Sequence, residues 1–177
     1  MPSMNRRSMI LAGAGLAMPA IGARAQALEN TLVVRTTGGV FNDRNITVNN
    51  AVFDTNGNDV ALYGYITGTG GLVKTGGGSL TIGNPSNSFT GGVTVSAGTL
   101  QVGNELTLGA PGTIALGGGA ILQLSANLIF SSATRIVTVG TGGATIDTHG
   151  YDMYLFGDTS LANGGNIFTK TGSGMLT

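Results

Sequence analysis

The sequence predicts an all-β fold: a parallel β-helix, or solenoid, preceded by a helical signal peptide. Three observations predict it. Glycine is the commonest residue, with 32 copies among 177. Short runs of Val, Ile, Leu and Thr alternate apolar and polar residues between Gly, Asn and Asp, which is the pattern of strands separated by tight turns. A long segment also recurs later in the chain, as in repeat architectures.

Composition excludes several other classes of protein. Hydrophobic residues make up 41% of the chain and charged residues 9%, so the sequence lacks the charge-rich signature of disorder. Without the predicted leader, five basic and eight acidic residues remain, a net charge of −3 with His149 neutral. This balance offers no basic face for nucleic acid. There is no cysteine, so stability must come from packing and backbone pairing.

The first element is a predicted signal peptide at residues 1–27. Arg6-Arg7 supply its positive charge, residues 9–21 are apolar and uncharged, and Ala25 and Ala27 each end a small-x-small cleavage site. We expect cleavage after Ala25 or Ala27, and the apolar region is too short to span a membrane. The alternative is a buried N-terminal helix.

Two resemblances accompany the leader. Arg6-Arg7 followed by SMIL looks like a twin-arginine signal, so export by either the general or the twin-arginine route stays open. Residues 19–41 resemble the leader and first strand of periplasmic solute-binding proteins of ABC importers. That resemblance ends near Phe41, and no two-lobed α/β pattern follows, so the transport function is not carried over.

Short strands fill the rest of the chain, and no amphipathic helix follows Ala27. The predicted strands are 31–36, 46–48, 60–65, 71–75, 79–82, 92–96, 99–102, 113–116, 121–125, 135–139 and 153–156. The sequence therefore divides into a signal peptide at 1–27, lead-in strands at 28–50 and a β-solenoid repeat region at 51–177, in which the last repeat is truncated.

An internal repeat favours the solenoid. Residues 54–64 (DTNGNDVALYG) match 147–157 (DTHGYDMYLFG), and 70–81 (GGLVKTGGGSLT) match 164–177 (GGNIFTKTGSGMLT). Short strands with brief turns leave no room for βαβ helices, whereas coils stacked on coils satisfy every backbone group. At about 20–25 residues per coil, the chain after the leader makes about six coils. An antiparallel sandwich or barrel remains the alternative.

Residues 70–103 carry a family likeness. The stretch GGLVKTGGGSLTIGNPSNSFTGGVTVSAGTLQVG resembles the autotransporter-associated β-strand repeat, with its lysine-containing start, aromatic turn and AGTLQVG ending. The partial copy at 164–177 extends the likeness. The residues that match the motif are Gly70, Gly71, Lys74, Gly76, Gly78, Leu80, Phe89, Gly91, Gly92, Ala97, Gly98 and Leu100.

The resemblance implies a fold and a role. It implies a right-handed β-helix that serves as a passenger fragment of an outer-membrane autotransporter, structural or adhesin-like and without catalysis. It implies export to the cell surface or the extracellular space, or retention in the periplasm without a translocator, and a host surface or extracellular polysaccharide as partner. The β-barrel translocator of such proteins is not expected within these 177 residues. A carbohydrate-active or carbohydrate-binding β-helix protein is the alternative.

The residues that could act in catalysis or binding stand in patterns typical of structural turns. We therefore expect no catalytic, metal-binding or cofactor-binding residues. The segment 54–59 departs from a calcium loop, because Asp59 stands where such a loop needs Gly. Lys74 lacks the preceding Gly of a phosphate loop and is predicted to be a solvated strand residue. Ser96, His149 and Asp147 make a triad only on paper, since Ser96 lies outside a nucleophile elbow.

Paired acids and aromatic residues are the other candidates. Asp54 with Asp59, and Asp147 with Asp152, would serve polysaccharide cleavage, yet both pairs recur at one repeat position, which favours a structural corner. Six aromatic residues are expected to pack corners and cap the core, with a sugar-stacking or adhesive strip as the alternative. They are Tyr63, Tyr65, Phe89, Tyr151, Tyr154 and Phe156.

Overall fold

The chain folds into a stack of parallel β-strands. A computed structural model describes residues 8–11, 32–36, 38–41, 45–131, 135–156 and 161–177. Within these ranges, secondary structure consists of strands and one 3-10 helix, Glu105–Leu108. The strands are β1 (Ser8–Leu11), β2 (Leu32–Thr36), β3 (Gly39–Phe41), β4 (Ile46–Thr47), β5 (Ala51–Asp54), β6 (Val60–Leu62), β7 (Ile66–Thr67), β8 (Leu72–Thr75), β9 (Ser79–Ile82), β10 (Val93–Val95), β11 (Thr99–Val102), β12 (Thr113–Leu116), β13 (Ala120–Leu124), β14 (Leu128–Phe130), β15 (Ile136–Val139), β16 (Ala144–Asp147), β17 (Met153–Leu155), β18 (Leu161–Ala162) and β19 (Phe168–Thr171).

Two long sheets form the walls of the solenoid. The eight-stranded sheet has the order β1-β2-β5-β8-β10-β12-β15-β18, and the seven-stranded sheet has the order β3-β6-β9-β11-β13-β16-β19. The pairs β4–β7 and β14–β17 form two short sheets. Every described strand pair is parallel, for example β10 with β12 and β11 with β13. The predicted all-β parallel solenoid of about six turns is confirmed, and the antiparallel alternative is wrong.

The register gives the length of each coil. Paired residues in successive coils of the eight-stranded sheet are separated by between 19 positions, from Leu32 to Ala51, and 25 positions, from Ser8 to Val33. Coils of this size consist of two or three short strands joined by turns. The right-handed sense of winding stays a prediction.

The core consists of columns of apolar side chains between the sheets. Because neighbouring strands are parallel and in register, each inward residue stacks on its equivalent in the next coil. One column on the eight-stranded sheet is Leu72, Val93, Ile114 and Val137, and one on the seven-stranded sheet is Leu80, Leu100, Leu122 and Ile146. All of these side chains are buried.

The leader departs from expectation where it is described. Residues Ser8–Leu11 form β1, which pairs in parallel with β2 and so lies on the edge of the eight-stranded sheet. The predicted helix is therefore wrong for these four residues, because an open sheet edge offers their backbone groups the same hydrogen bonds that a helix would. The rest of the leader, with Ala25 and Ala27, lies outside the described residues.

Glycine occupies places where one coil touches the next. A Cβ at Gly78 would overlap the carbonyl oxygen of Asn58 in the preceding coil, whereas a Cβ at Gly77 would enter open space. Neither residue has a positive φ. Close approach of two backbones, rather than an unusual backbone angle, therefore explains Gly78.

This difference gives a matched test. We expect Gly78→Ala to lower the free energy of unfolding by about 2 kcal/mol or more, because the coils must separate to admit a methyl group. Gly77→Ala should change it by less than about 0.5 kcal/mol. Urea unfolding of the full chain followed by circular dichroism measures both, and equal stability of the two variants would contradict the close approach.

Candidate functional site

Each copy of the internal repeat builds a corner around one lysine. The first lysine corner comprises residues 54–59 and 74–79, and the second comprises residues 147–152 and 170–175. In the first, the Lys74 side chain is completely buried, so the prediction of a solvated strand residue is wrong. The physical reason is strand alternation: Lys74 lies two positions after the buried Leu72 and therefore faces the same side, the interior.

The buried ammonium group of Lys74 is held by oxygen atoms. Its Nζ donates to Thr55 Oγ1 at 3.0 Å, to the carbonyl oxygens of Thr75 and Gly76 at 2.9 and 2.7 Å, and to that of Ala97 at 3.1 Å. These oxygens belong to three successive coils, so the lysine ties its own coil to the one before and the one after. Three N–H groups facing four acceptors compensate for lost hydration.

Burial has an electrostatic cost for Lys74. Desolvation lowers the pKa of its ammonium group to about 8, and the nearby carboxylate of Asp54 acts in the opposite direction. The ammonium form therefore still predominates at neutral pH. It is this form, with three donors, that matches the surrounding oxygen atoms.

Both carboxylates of the first lysine corner bind backbone N–H groups. Asp54 Oδ1 accepts a hydrogen bond from the Asn56 amide at 2.9 Å, within a turn where Asn56 has φ 50°. Asp59 Oδ1 accepts from the Ser79 amide at 2.9 Å and from the Ser79 hydroxyl at 2.7 Å. The Ser79 bonds, the backbone one foremost, lower the pKa of Asp59. Asp54 and Asp59 thus belong to a structural corner, as predicted from their position in the repeat.

The second lysine corner repeats the main carboxylate and threonine contacts of the first. Asp147 Oδ1 accepts from the His149 amide at 3.0 Å, and Asp152 Oδ1 accepts from the Met175 amide at 2.7 Å. Thr148 Oγ1 donates to the Thr171 carbonyl at 2.9 Å, as Thr55 Oγ1 does to the carbonyl of Thr75 at 3.1 Å. These correspondences explain why the DT-x-G and KT-G-x-G patterns recur together. The two motifs form the same corner in two successive coils.

Two differences separate the corners. The first lysine corner joins β5 and β8 of the eight-stranded sheet to strands of the seven-stranded sheet. The second lysine corner follows β16 and β19, which are strands of the seven-stranded sheet. Lys170 is exposed, and its Nζ is 2.9 Å from the Gly172 carbonyl and 3.5 Å from each of two further oxygens. The motif is therefore a local cap that serves different corners of the solenoid.

A ladder of polar side chains crosses the outer face of the seven-stranded sheet and ends at Asp147. Thr81 Oγ1 donates to Gln101 Oε1 at 3.0 Å, and Gln101 Nε2 donates to Gln123 Oε1 at 2.9 Å. Gln123 Nε2 then donates to Asp147 Oδ2 at 2.9 Å, and this bond is the largest cause of the lowered pKa of Asp147. Each coil supplies one member, so the ladder links four coils.

The structure does not bring together Ser96, His149 and Asp147, the triad that the sequence offers only on paper. Ser96 follows β10, whereas Asp147 ends β16 and His149 follows it, two coils further along the stack and thus at least about 10 Å away. His149 is exposed, with Nδ1 3.8 Å from Asp147 Oδ2. Among the described residues, no three His, Asp or Glu side chains lie close enough to hold a metal ion. No helix in those ranges has the length and hydrophobicity to cross a membrane.

The other residues of the predicted motif are structural. Leu80 and Leu100 pair in the core, and Gly98 comes so close to Lys74 that a Cβ would lie 2.7 Å from Nζ. A Cβ at Gly76 would lie 2.6 Å from Asp54 Oδ1. Four more motif glycines contact backbone atoms of the adjacent coil, and they are Gly70, Gly71, Gly91 and Gly92.

The aromatic residues divide between core and surface. Phe89 is completely buried and faces Gly109, as expected for a corner residue. Tyr154 and Phe156 stack with parallel rings whose centroids are 6.1 Å apart, and Phe156 is 54% exposed. Tyr63 is 44% exposed and lies over Gly83. Phe89 thus packs a corner as predicted, but not all six aromatic residues are buried in this way.

One buried ion pair was not foreseen from the sequence. Arg135 is buried, and its Nε donates to Glu105 Oε1 at 3.1 Å while a terminal nitrogen donates to the Gly109 carbonyl at 3.0 Å. Burial lowers the pKa of Arg135, which Glu105 partly offsets. Thirty positions separate the two side chains, and neither stands in a motif, so no sequence signal could have paired them.

Comparison with known proteins agrees with this geometry. A family model described as "Passenger-associated-transport-repeat" matches residues 72–102, which begin just before Lys74. The chain is 33% identical over 168 residues to the Adhesin BmaC autotransporter of Brucella suis biovar 1 (strain 1330), covering 84% of this chain. It spans 5% of the length of that relative. No solved structure matches the chain.

The two lysines form a matched pair for measuring the buried corner. We expect Lys74→Met to lower the free energy of unfolding by about 1–3 kcal/mol, because carbonyl oxygens of two coils lose their donor. Lys170→Met, at the exposed copy, should change it by less than about 0.5 kcal/mol. Urea denaturation measures both, and a Lys74→Met protein as stable as the unmodified chain would show that desolvation cancels the hydrogen bonds.

The ladder predicts how stability responds to acid. The pKa of Asp147 is lowered in the folded state, so its carboxylate contributes stability above its unfolded pKa and loses it as pH falls through the folded pKa. We expect the melting temperature to decrease when the pH is lowered beyond about 4. Asp147→Asn and Gln123→Met should both flatten this acid decline. Melting curves from pH 7 to pH 2 test it, and Asp147→Asn curves parallel to those of the unmodified chain would contradict it.

Proposed function

The chain belongs to the autotransporter passenger repeat proteins, and from this membership we propose that it is a structural and adhesive stretch of a passenger region displayed on the bacterial cell surface. The observation that carries the proposal is the first lysine corner, whose residues 74–79 fall within the matched residues 72–102. In this corner Lys74 and Asp59 bond to neighbouring coils, and Gly78 allows two coils to approach closely. What such a stretch offers a partner is its outer surface.

The absence of catalysis is part of this proposal. A catalytic acid or base needs a lone pair or proton available to substrate, in a position where its pKa can be tuned. The oxygens of Asp54, Asp59 and Asp152 accept backbone N–H groups of the turns instead. His149 is exposed at a repeated turn, and Ser96 follows a strand two coils away. These features support a scaffold rather than a polysaccharide-cleaving enzyme.

Adhesion is supported by the shape and composition of the solenoid and by the relative named as an adhesin. Stacked coils present long, flat, rigid columns of side chains, and rigid surfaces lose little conformational entropy on binding. With 9% charged residues in the chain, contacts through hydroxyl, amide and apolar groups are favoured over long-range electrostatic attraction. Neutral extracellular material at a host surface or in a biofilm matrix is the partner class that we propose.

A bead assay tests the proposed function. Beads that carry the folded 177-residue chain should be retained on polysaccharide-coated surfaces or host-cell layers, and beads that carry heat-unfolded chain should not. Incubation of the same chain with those polysaccharides should release no new reducing ends. Equal retention of folded and unfolded chain would refute adhesion, and release of reducing ends would refute the non-catalytic role.

A further inference from the structure

A shallow groove of about 330 Å³ lies on the outer face of the eight-stranded sheet. It crosses three successive coils, those of β10, β12 and β15, parallel to the direction of stacking. Thr94, Ala115 and Thr138 occupy one column of paired residues along it, and the turns beginning at Ser96 and Gly117 border it. We name this feature the threonine groove. Its depth arises because Ala115 and Gly117 have almost no side chain.

The hydroxyl groups of the threonine groove have no partner within the described residues. The side chains of Thr94, Ser96 and Thr138 form no hydrogen bond there, whereas on the seven-stranded sheet Gln101 and Gln123 bond to their neighbours in adjacent coils. Thr94 and Thr138 cannot bond to each other, because Ala115 lies between them and two coil steps separate them by about 10 Å. Their hydrogen-bonding capacity is available to a ligand.

The seven-stranded sheet contains a column with the same spacing but with a larger residue in its middle. Thr99 and Thr145 are also two coils apart, and Ile121 lies between them. Isoleucine fills the space that the methyl group of Ala115 leaves open. The middle residue, alanine in one column and isoleucine in the other, therefore changes how much room a ring would have between the two hydroxyl groups.

We propose that the threonine groove binds an extended, neutral polysaccharide, with the sugar chain running along the solenoid axis. A pyranose ring has C–H groups on its faces and hydroxyl groups around its edge. Its face would lie on Ala115 and Gly117, and its hydroxyl groups would bond to Thr94 and Thr138. The separation of these threonines is close to the length of a disaccharide. This proposal deepens the proposed adhesive function by naming the ligand class and the place where it binds.

The lining of the groove argues against other occupants. No charged side chain borders it among the described residues, so nothing there attracts nucleic acid or an acidic polymer. The strands beneath it are paired on both sides, so a peptide cannot add to the sheet as a new strand. The groove is also open, which suits a chain that passes across it better than an enclosed small molecule.

The experiment titrates the full chain with neutral hexasaccharides of β-1,4-linked glucose, β-1,4-linked N-acetylglucosamine and α-1,4-linked glucose, by calorimetry. We expect at least one of them to bind. Ala115→Ile should abolish that binding, because it fills the groove with a residue that suits a strand. The double variant Thr94→Val with Thr138→Val should weaken it about tenfold or more, because two hydrogen bonds are lost without a change in shape.

A matched double variant supplies the control. Thr99→Val with Thr145→Val removes two hydroxyl groups of equal spacing from the column that contains Ile121 and should leave the affinity unchanged. The proposal is overturned if no hexasaccharide binds, if Ala115→Ile binds normally, or if both double variants lose affinity equally. In each case beads of unmodified chain that still adhere would show that the adhesive function stands and that another surface carries it.

Discussion

The structure depends on parallel coils that meet backbone to backbone about 4.8 Å apart. At the sheets this spacing leaves room for side chains, which point inward or outward. At the corners the chain turns within the plane of its coil, and some side chains would have to enter the coil above or below. Gly78 against Asn58 and Gly174 against Tyr151 are the same solution at two corners, since in both a Cβ would overlap a carbonyl oxygen. Part of the high glycine content is therefore a consequence of stacking.

The lysine corners show how a charged group can serve such a stack. A carbonyl oxygen at a turn lacks the strand partner that the sheet provides, and leaving it buried without a donor is costly. One ammonium group supplies three donors at a point where several such oxygens meet. Desolvation opposes this arrangement, as the lowered pKa of Lys74 shows. The surrounding oxygens, together with the carboxylate of Asp54, favour the charged form in spite of burial.

Much of the fold could be predicted from the sequence, because a solenoid displays its period directly. Alternation within strands and the matching segments 54–64 and 147–157 predicted parallel coils. Eight described strands fall outside the predicted runs: β1 lies in the predicted leader, and the other seven are short and lie close to turn-rich segments, namely β3, β5, β7, β14, β16, β18 and β19. The burial of Lys74 was predictable from alternation, because it has the parity of Leu72. It was misjudged because residue type was given more weight than position.

Other features depend on three-dimensional register, which the sequence does not display. The second copy of the motif lies at a different corner, between the seven-stranded sheet and the short β14–β17 sheet. The threonine groove exists because coils of 21 and 23 residues align Thr94, Ala115 and Thr138. A change of one residue in either coil length would turn alanine or threonine toward the core and close the groove. Coil length therefore determines the outer surface, and a repeat that keeps its corners while varying the residues between them can present different surfaces on one scaffold.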